Sequence, residues 1–214
     1  MSAAAWEQTL HVGTADETHA LAAVLGAQLQ AGDLLVLTGE LGAGKTTFTQ
    51  GLGEGLGVRS GIISPTFVLV RIHPNLPDGP RPGGPDLVHV DAYRLGSASE
   101  IDDIDLENTM DSAVTVVEWG RGRVEHLSES RLEVDLVRRL GGAQAPAPAH
   151  SPETTEHAEV LDFDTDDDDE PRTIVIRGFG PRWVAPPVLT APGAPAPTAT
   201  APARQRPPHT PEGN

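Results

Sequence analysis

The segment Gly39-Glu-Leu-Gly-Ala-Gly44-Lys45-Thr46 matches G-x-x-x-x-G-K-[ST]. The pattern makes chemical sense only between a buried strand and the start of a helix, so it dictates the architecture around it. Both flanks comply. Leu34 to Leu37 is a continuous apolar run, as a buried parallel strand shows. Lys45 to about Leu56 reads as a helix. Gly39, Gly42 and Gly44 let the backbone curl, so that N–H groups of the loop, Ala43 among them, face a phosphate. The helix adds the positive end of its dipole. Lys45 then reaches the β- and γ-phosphates, and the Thr46 hydroxyl ligates Mg²⁺. Lys45 is the only lysine in the chain; every other basic residue is an arginine. A chain that avoids lysine elsewhere keeps one where a phosphate loop needs it.

Around this loop the sequence alternates strands and helices. Thr14-Ala-Asp-Glu17 reads as a capping box opening a helix to about Gln30, with Leu21, Val24, Leu25 and Leu29 as its apolar stripe. Phe67 to Ile72, Leu87 to Val90 and Val114 to Val117 read as strands. Ser97 to Asp105 reads as a short acidic helix, and Val124 to Leu127 as a helical segment. Arg131 to Val137 and Arg172 to Arg177 alternate and pair as a terminal hairpin. The expected fold is a three-layer α/β fold with a mixed, mostly parallel central sheet and a terminal β-hairpin.

Composition divides the chain further. It has 214 residues, with 23 glycines, 20 prolines and a net charge of -16. The acidity is concentrated: from Glu153 to Glu170 there are many acids and no Lys or Arg, so the rest is only mildly acidic. Residues 141–170 read as a disordered acidic insertion. The Pro/Ala-rich end, 185–214, reads as a disordered tail. Residues 73–86 form a Pro/Gly-rich loop. The folded domain then spans 1–184 and carries the loop and the insertion. The absence of cysteine excludes disulfides and thiolate chemistry. No apolar run is long enough for a transmembrane helix, and the start does not read as a signal peptide. A cytoplasmic location without membrane contact is expected. The acidic balance argues against a direct grip on nucleic acid.

Nucleotide-bound Mg²⁺ calls for a carboxylate at the end of a neighbouring buried strand. Asp91 ends Leu-Val-His-Val, and Glu118 ends Val-Thr-Val-Val. Either serves as metal ligand or water-positioning base, and the sequence leaves the choice open. Thr66, in Ser64-Pro65-Thr66, is placed to sense a γ-phosphate as a switch loop does. Trp119 reads as a neighbour of the base or as core. Tyr93 and Arg94 follow Asp91 as site or helix-entry residues. The histidines, His73 and His89 included, lack metal-ligand spacing and read as structural.

The ordered set Gly39-Glu-Leu-Gly-Ala-Gly-Lys-Thr-Thr-Phe48, Ser64-Pro-Thr-Phe67, His89-Val-Asp-Ala-Tyr-Arg-Leu95 and Val117-Glu-Trp-Gly120 resembles the TsaE (YjeE) family. These are bacterial P-loop ATPases needed to make threonylcarbamoyladenosine in tRNA. The resemblance spans about Leu10 to Leu127 and implies a P-loop NTPase fold. It implies slow hydrolysis of ATP–Mg²⁺, and action on the partner subunits TsaD and TsaB to reset them between rounds of transfer. tRNA is then met only indirectly. Carried over, Lys45, Thr46 and Thr47 hold phosphates and metal, Asp91 and Glu118 serve Mg²⁺ and water, and Thr66 acts as a switch. Trp119 and Asp16, near the start of the first helix, flank the nucleotide. Arg121 departs from the acidic or neutral residue expected after Val-Glu-Trp-Gly, which alters the rim of the site.

Two other functions use the same loop. A small P-loop kinase phosphorylating a metabolite would need a basic lid, and the inserts here are Pro/Gly-rich or acidic. A nucleotide-gated scaffold, in which binding alone is the signal, shares every site residue.

Overall fold

The computed structural model describes residues 3–138 and 170–189. The acidic insertion and the tail therefore lie outside the described residues, except for Glu170 and residues 185–189. The described strands are β1 (Trp6–Val12), β2 (Leu34–Thr38), β3 (Val70–His73), β4 (Asp86–Asp91), β5 (Ala113–Glu118), β6 (Arg131–Arg138) and β7 (Arg172–Phe179). The helices are α1 (Ala15–Gly26), α2 (Lys45–Leu56), α3 (Ala98–Asp102) and α4 (Glu107–Met110).

The strands form one sheet in the order β1-β7-β6-β2-β5-β4-β3. Its centre, β6-β2-β5-β4, is parallel, while β3, β7 and β1 each run antiparallel to their inner neighbour. Leu35, Leu37, Val114 and Val116 face one core with Leu21 and Leu25 of α1 and Phe48 and Leu52 of α2. Leu34, Val36, Val88 and Val117 face the other with Ile101, Leu106 and Met110. Helices on both faces of the sheet make the three layers, because strands buried on both sides must be covered twice. The mixed, mostly parallel sheet and its terminal β6–β7 hairpin are as the sequence leads one to expect.

Glycine explains how α1 and α2 lie so close. A Cβ at Gly51 would run into the His19 carbonyl, and one at Gly55 into that of Ala23. The backbones meet where no side chain fits.

Several local expectations are corrected. Strand β1 was not expected; it pairs with β7 across most of the chain, Trp6 opposite Gly178 and Val12 opposite Arg172. Thr14 caps α1, its Oγ1 accepting from Glu17 N at 3.1 Å, while the Glu17 carboxylate reaches back to Gly13 N rather than to Thr14 N, and α1 ends at Gly26 rather than near Gln30. Leu21, Leu25 and Leu29 are buried while Val24 is exposed. The third strand begins at Val70, not Phe67. The Pro65 carbonyl accepts from Val68 N and Leu69 N, so Thr66–Leu69 is a turn and Phe67 stands in solvent. The acidic helix expected from Ser97 to Asp105 is shorter: α3 ends at Asp102, Asp105 has φ 56°, and α4 is a separate turn of helix beyond it. Val124–Leu127 is a string of turns, where Glu125 accepts from the N–H groups of Gly122 and Val124. Beyond the sheet, Val188 exchanges hydrogen bonds with the Gln28 side chain, and Leu189 packs on the core.

Candidate functional site

The phosphate loop runs from the end of β2 into α2. Gly44 sits at φ 93°, in the left-handed region where a side chain is strained, and this turn starts the helix. Ala43 N donates to Glu40 O at 3.1 Å. The N–H groups of Gly42, Gly44, Lys45, Thr46 and Thr47 donate to no protein acceptor among the described residues. Donors left free at a helix start are what an anion site is built from.

Lys45 is buried, and its Nζ donates to the Gly39 and Glu40 carbonyls at 2.9 Å each. The same Nζ lies 4.1 Å from the centre of the Trp119 ring. Burial pushes the Lys45 ammonium below the usual lysine range, while Glu118 and Asp91 pull it back up. Trp119 itself has φ 61°, an unusual backbone for a bulky residue, and its N–H donates to Leu37 O. That turn lays the indole beside the loop, in tilted contact with Tyr93.

Asp91 and Glu118 stand opposite each other at the carboxyl ends of β4 and β5. Parallel strands bring their ends to the edge of the sheet where α/β ligands bind. Both are buried, yet their hydrogen bonding differs. Asp91 is fully engaged: Oδ2 accepts from Thr66 Oγ1 at 2.6 Å and Ser64 Oγ at 3.2 Å, and Oδ1 accepts from Tyr93 N at 2.9 Å. Glu118 Oε1 lies 2.8 Å from His89 Nε2, and Oε2 has no partner among the described residues.

These groups line one cleft of about 630 Å³, within the range of roughly 300–1,000 Å³ usual for small-ligand sites. Gly42, Gly44, Lys45, Thr46, Thr47, Thr66, Asp91, Glu118 and Trp119 all face it. Gly39 contributes through the carbonyl that holds Lys45, and Ala43 is buried beneath. Two further expected residues do not line it either. Asp16 is in the first turn of α1, and Arg121 turns its guanidinium to Asp135 and Glu133 on β6.

Sequence reasoning missed three neighbours. His89 reaches Glu118, and the strand period of two, which puts residues 89 and 91 on one face, was the available signal. Arg138 and Arg172, at the ends of β6 and β7, stand against Gly42 and Gly44. Arg138 pairs with Glu170, and Arg172 is buried with no partner for its Nε among the described residues. No local pattern in the sequence announces them.

Comparison with known proteins fixes the family. The family model described as Threonylcarbamoyl adenosine biosynthesis protein TsaE matches residues 12–143. The chain belongs to the TsaE family. A TsaE relative in Streptomyces coelicolor is 47% identical over 156 residues, covering 72% of this chain and 86% of that protein. One in Bacillus subtilis is 40% identical over 127 residues, 59% and 74% of the two chains. The crystal structure of Bacillus subtilis YdiB superposes with a TM-score of 0.56 at 26% identity, covering 86% of this chain and 92% of that one. The fold is thus the one these TsaE motifs implied, and the TsaE role lies in making threonylcarbamoyladenosine in tRNA. Among the described residues no helix is long and apolar enough to cross a membrane.

Proposed function

We propose that this chain binds ATP–Mg²⁺ in the cleft and hydrolyses it, as a cytoplasmic accessory of the TsaD–TsaB complex that modifies tRNA. The observation that carries the reading is the juxtaposition of free loop N–H donors, one buried lysine and two buried strand-end carboxylates.

These residues fit a nucleotide triphosphate. The loop N–H groups and Lys45 would hold the phosphates. Mg²⁺ is usually held by one or two protein oxygens plus phosphates and water, and Thr46 with Glu118 supplies such a set. Glu118 suits direct ligation because Oε2 is uncommitted, whereas every oxygen of Asp91 is already accepting. Asp91 instead ties the Ser64–Thr66 turn to the cleft, which suits Thr66 to a switch role. The metal, when bound, supplies neutralisation of charge on the phosphates. Lys45 and the loop N–H groups stabilise the charge that grows as water attacks the γ-phosphate.

Three nearby arginines are occupied, Arg121 with Asp135, Arg138 with Glu170 and Arg94 over the Phe67 ring, while Arg172 donates through Nη1 to the Glu170 carbonyl and its Nε has no partner among the described residues. Turnover by the isolated chain should therefore be slow, with a partner completing or ordering the site. The test is ATP hydrolysis by the purified chain, alone and mixed with TsaD and TsaB from the same organism. Stimulation that requires both partners is expected. Fast turnover alone, unchanged by the partners, would contradict the accessory reading.

A further inference from the structure

His89 and Glu118 form a buried pair on the face of the sheet that carries the cleft. His89 lies on β4, two residues before Asp91, and its ring is fully buried. Its Nε2 is 2.8 Å from Glu118 Oε1. An ionised carboxylate has no hydrogen to give, so the imidazole donates through Nε2–H.

This contact is poorly explained by packing. Among the described residues, His89 Nδ1 is buried without a partner, and so is His73 Nε2, with the two ring centres 6.3 Å apart. Burial, helped by His89 and Arg71, holds His73 below the usual histidine range. A buried unpartnered nitrogen is a cost that an apolar residue here would avoid. What the imidazole adds is direction. It takes Oε1 of Glu118 and leaves Oε2, the oxygen without a partner, for the cleft.

We propose that His89 is a positioning residue, which fixes the Glu118 carboxylate so that one oxygen is presented to the metal and water of the cleft. The inference rests on the ATP–Mg²⁺ reading. Groups that orient metal-binding carboxylates typically change metal affinity about 10- to 100-fold when removed.

The test compares His89→Gln with His89→Asn. Both are neutral and polar, but only glutamine carries an amide N–H as far as Nε2. ATP binding is measured by equilibrium titration in EDTA and across a Mg²⁺ series, with ligand-free melting as the check on folding. His89→Gln should keep the wild-type Mg²⁺ midpoint. His89→Asn should shift it about 10- to 100-fold higher while leaving affinity in EDTA unchanged. Combined with Glu118→Gln, it should add nothing to the Glu118→Gln shift, because it acts through that carboxylate.

Two results would overturn the proposal: equal midpoints for the folded Gln and Asn variants, or additive shifts in the double variant. Should the Asn variant fail to fold, the Gln variant decides, and a tenfold shift in it counts against the proposal. A wild-type protein whose ATP binding ignores Mg²⁺ overturns the metal reading beneath it, which the EDTA arm tells apart.

Discussion

Lys45→Ala should remove ATP binding from the cleft. The lysine supplies a cation to the cleft, its Nζ 2.9 Å from two carbonyls of its own loop and beside Glu118 and Asp91. Hydrogen bonds to charged groups contribute about 1.5–3 kcal/mol each. Losing two contacts to phosphate oxygens would weaken binding at least about 100-fold. Isothermal titration with ATP and Mg²⁺ reads this directly. The ligand-free fold should survive, because burying this ammonium is itself unfavourable. ATP affinity within a few-fold of wild type would show that the phosphates are held elsewhere.

Glu118→Gln should separate binding from chemistry. The amide keeps the shape at the end of β5 and leaves the phosphate loop untouched. It loses the charge that a metal or an attacking water requires. At saturating Mg²⁺, ATP should still bind, while kcat falls about 10²- to 10⁴-fold, the usual span for a lost general base. Steady-state hydrolysis and titration on the same preparation give both numbers. An unchanged kcat would move the catalytic role to Asp91. A variant that no longer turns over ATP yet still supports tRNA modification would favour nucleotide binding alone as the signal.

Much of this site is legible in the chain because its parts are local. The loop, its strand and its helix are contiguous, and their geometry follows from three glycines and one lysine. Asp91 and Glu118 are each marked by the apolar run that they end, and their register follows once β4 and β5 lie side by side. What stays hidden is long-range. Strand β1 finds its partner only in β7, so nothing near Trp6 marks it as part of the sheet. The Phe67-Val68 pair looks like a strand start, but the Pro65 carbonyl ties it into a turn and leaves Phe67 exposed. Arg121 sits beside the motif in sequence, yet two acids of β6 draw it away from the cleft. Arg138 and Arg172 reach the phosphate loop from strands far along the chain.

The most direct measurement is repeated threonylcarbamoyl transfer to tRNA in a reconstituted mixture of TsaD, TsaB and this chain with ATP and Mg²⁺. The wild-type chain is expected to sustain many rounds per complex. Lys45→Ala is expected to stop after about one, as the proposed resetting of the complex by ATP in this cleft requires. Equal numbers of rounds with the wild type and with Lys45→Ala would contradict a role for ATP in this cleft.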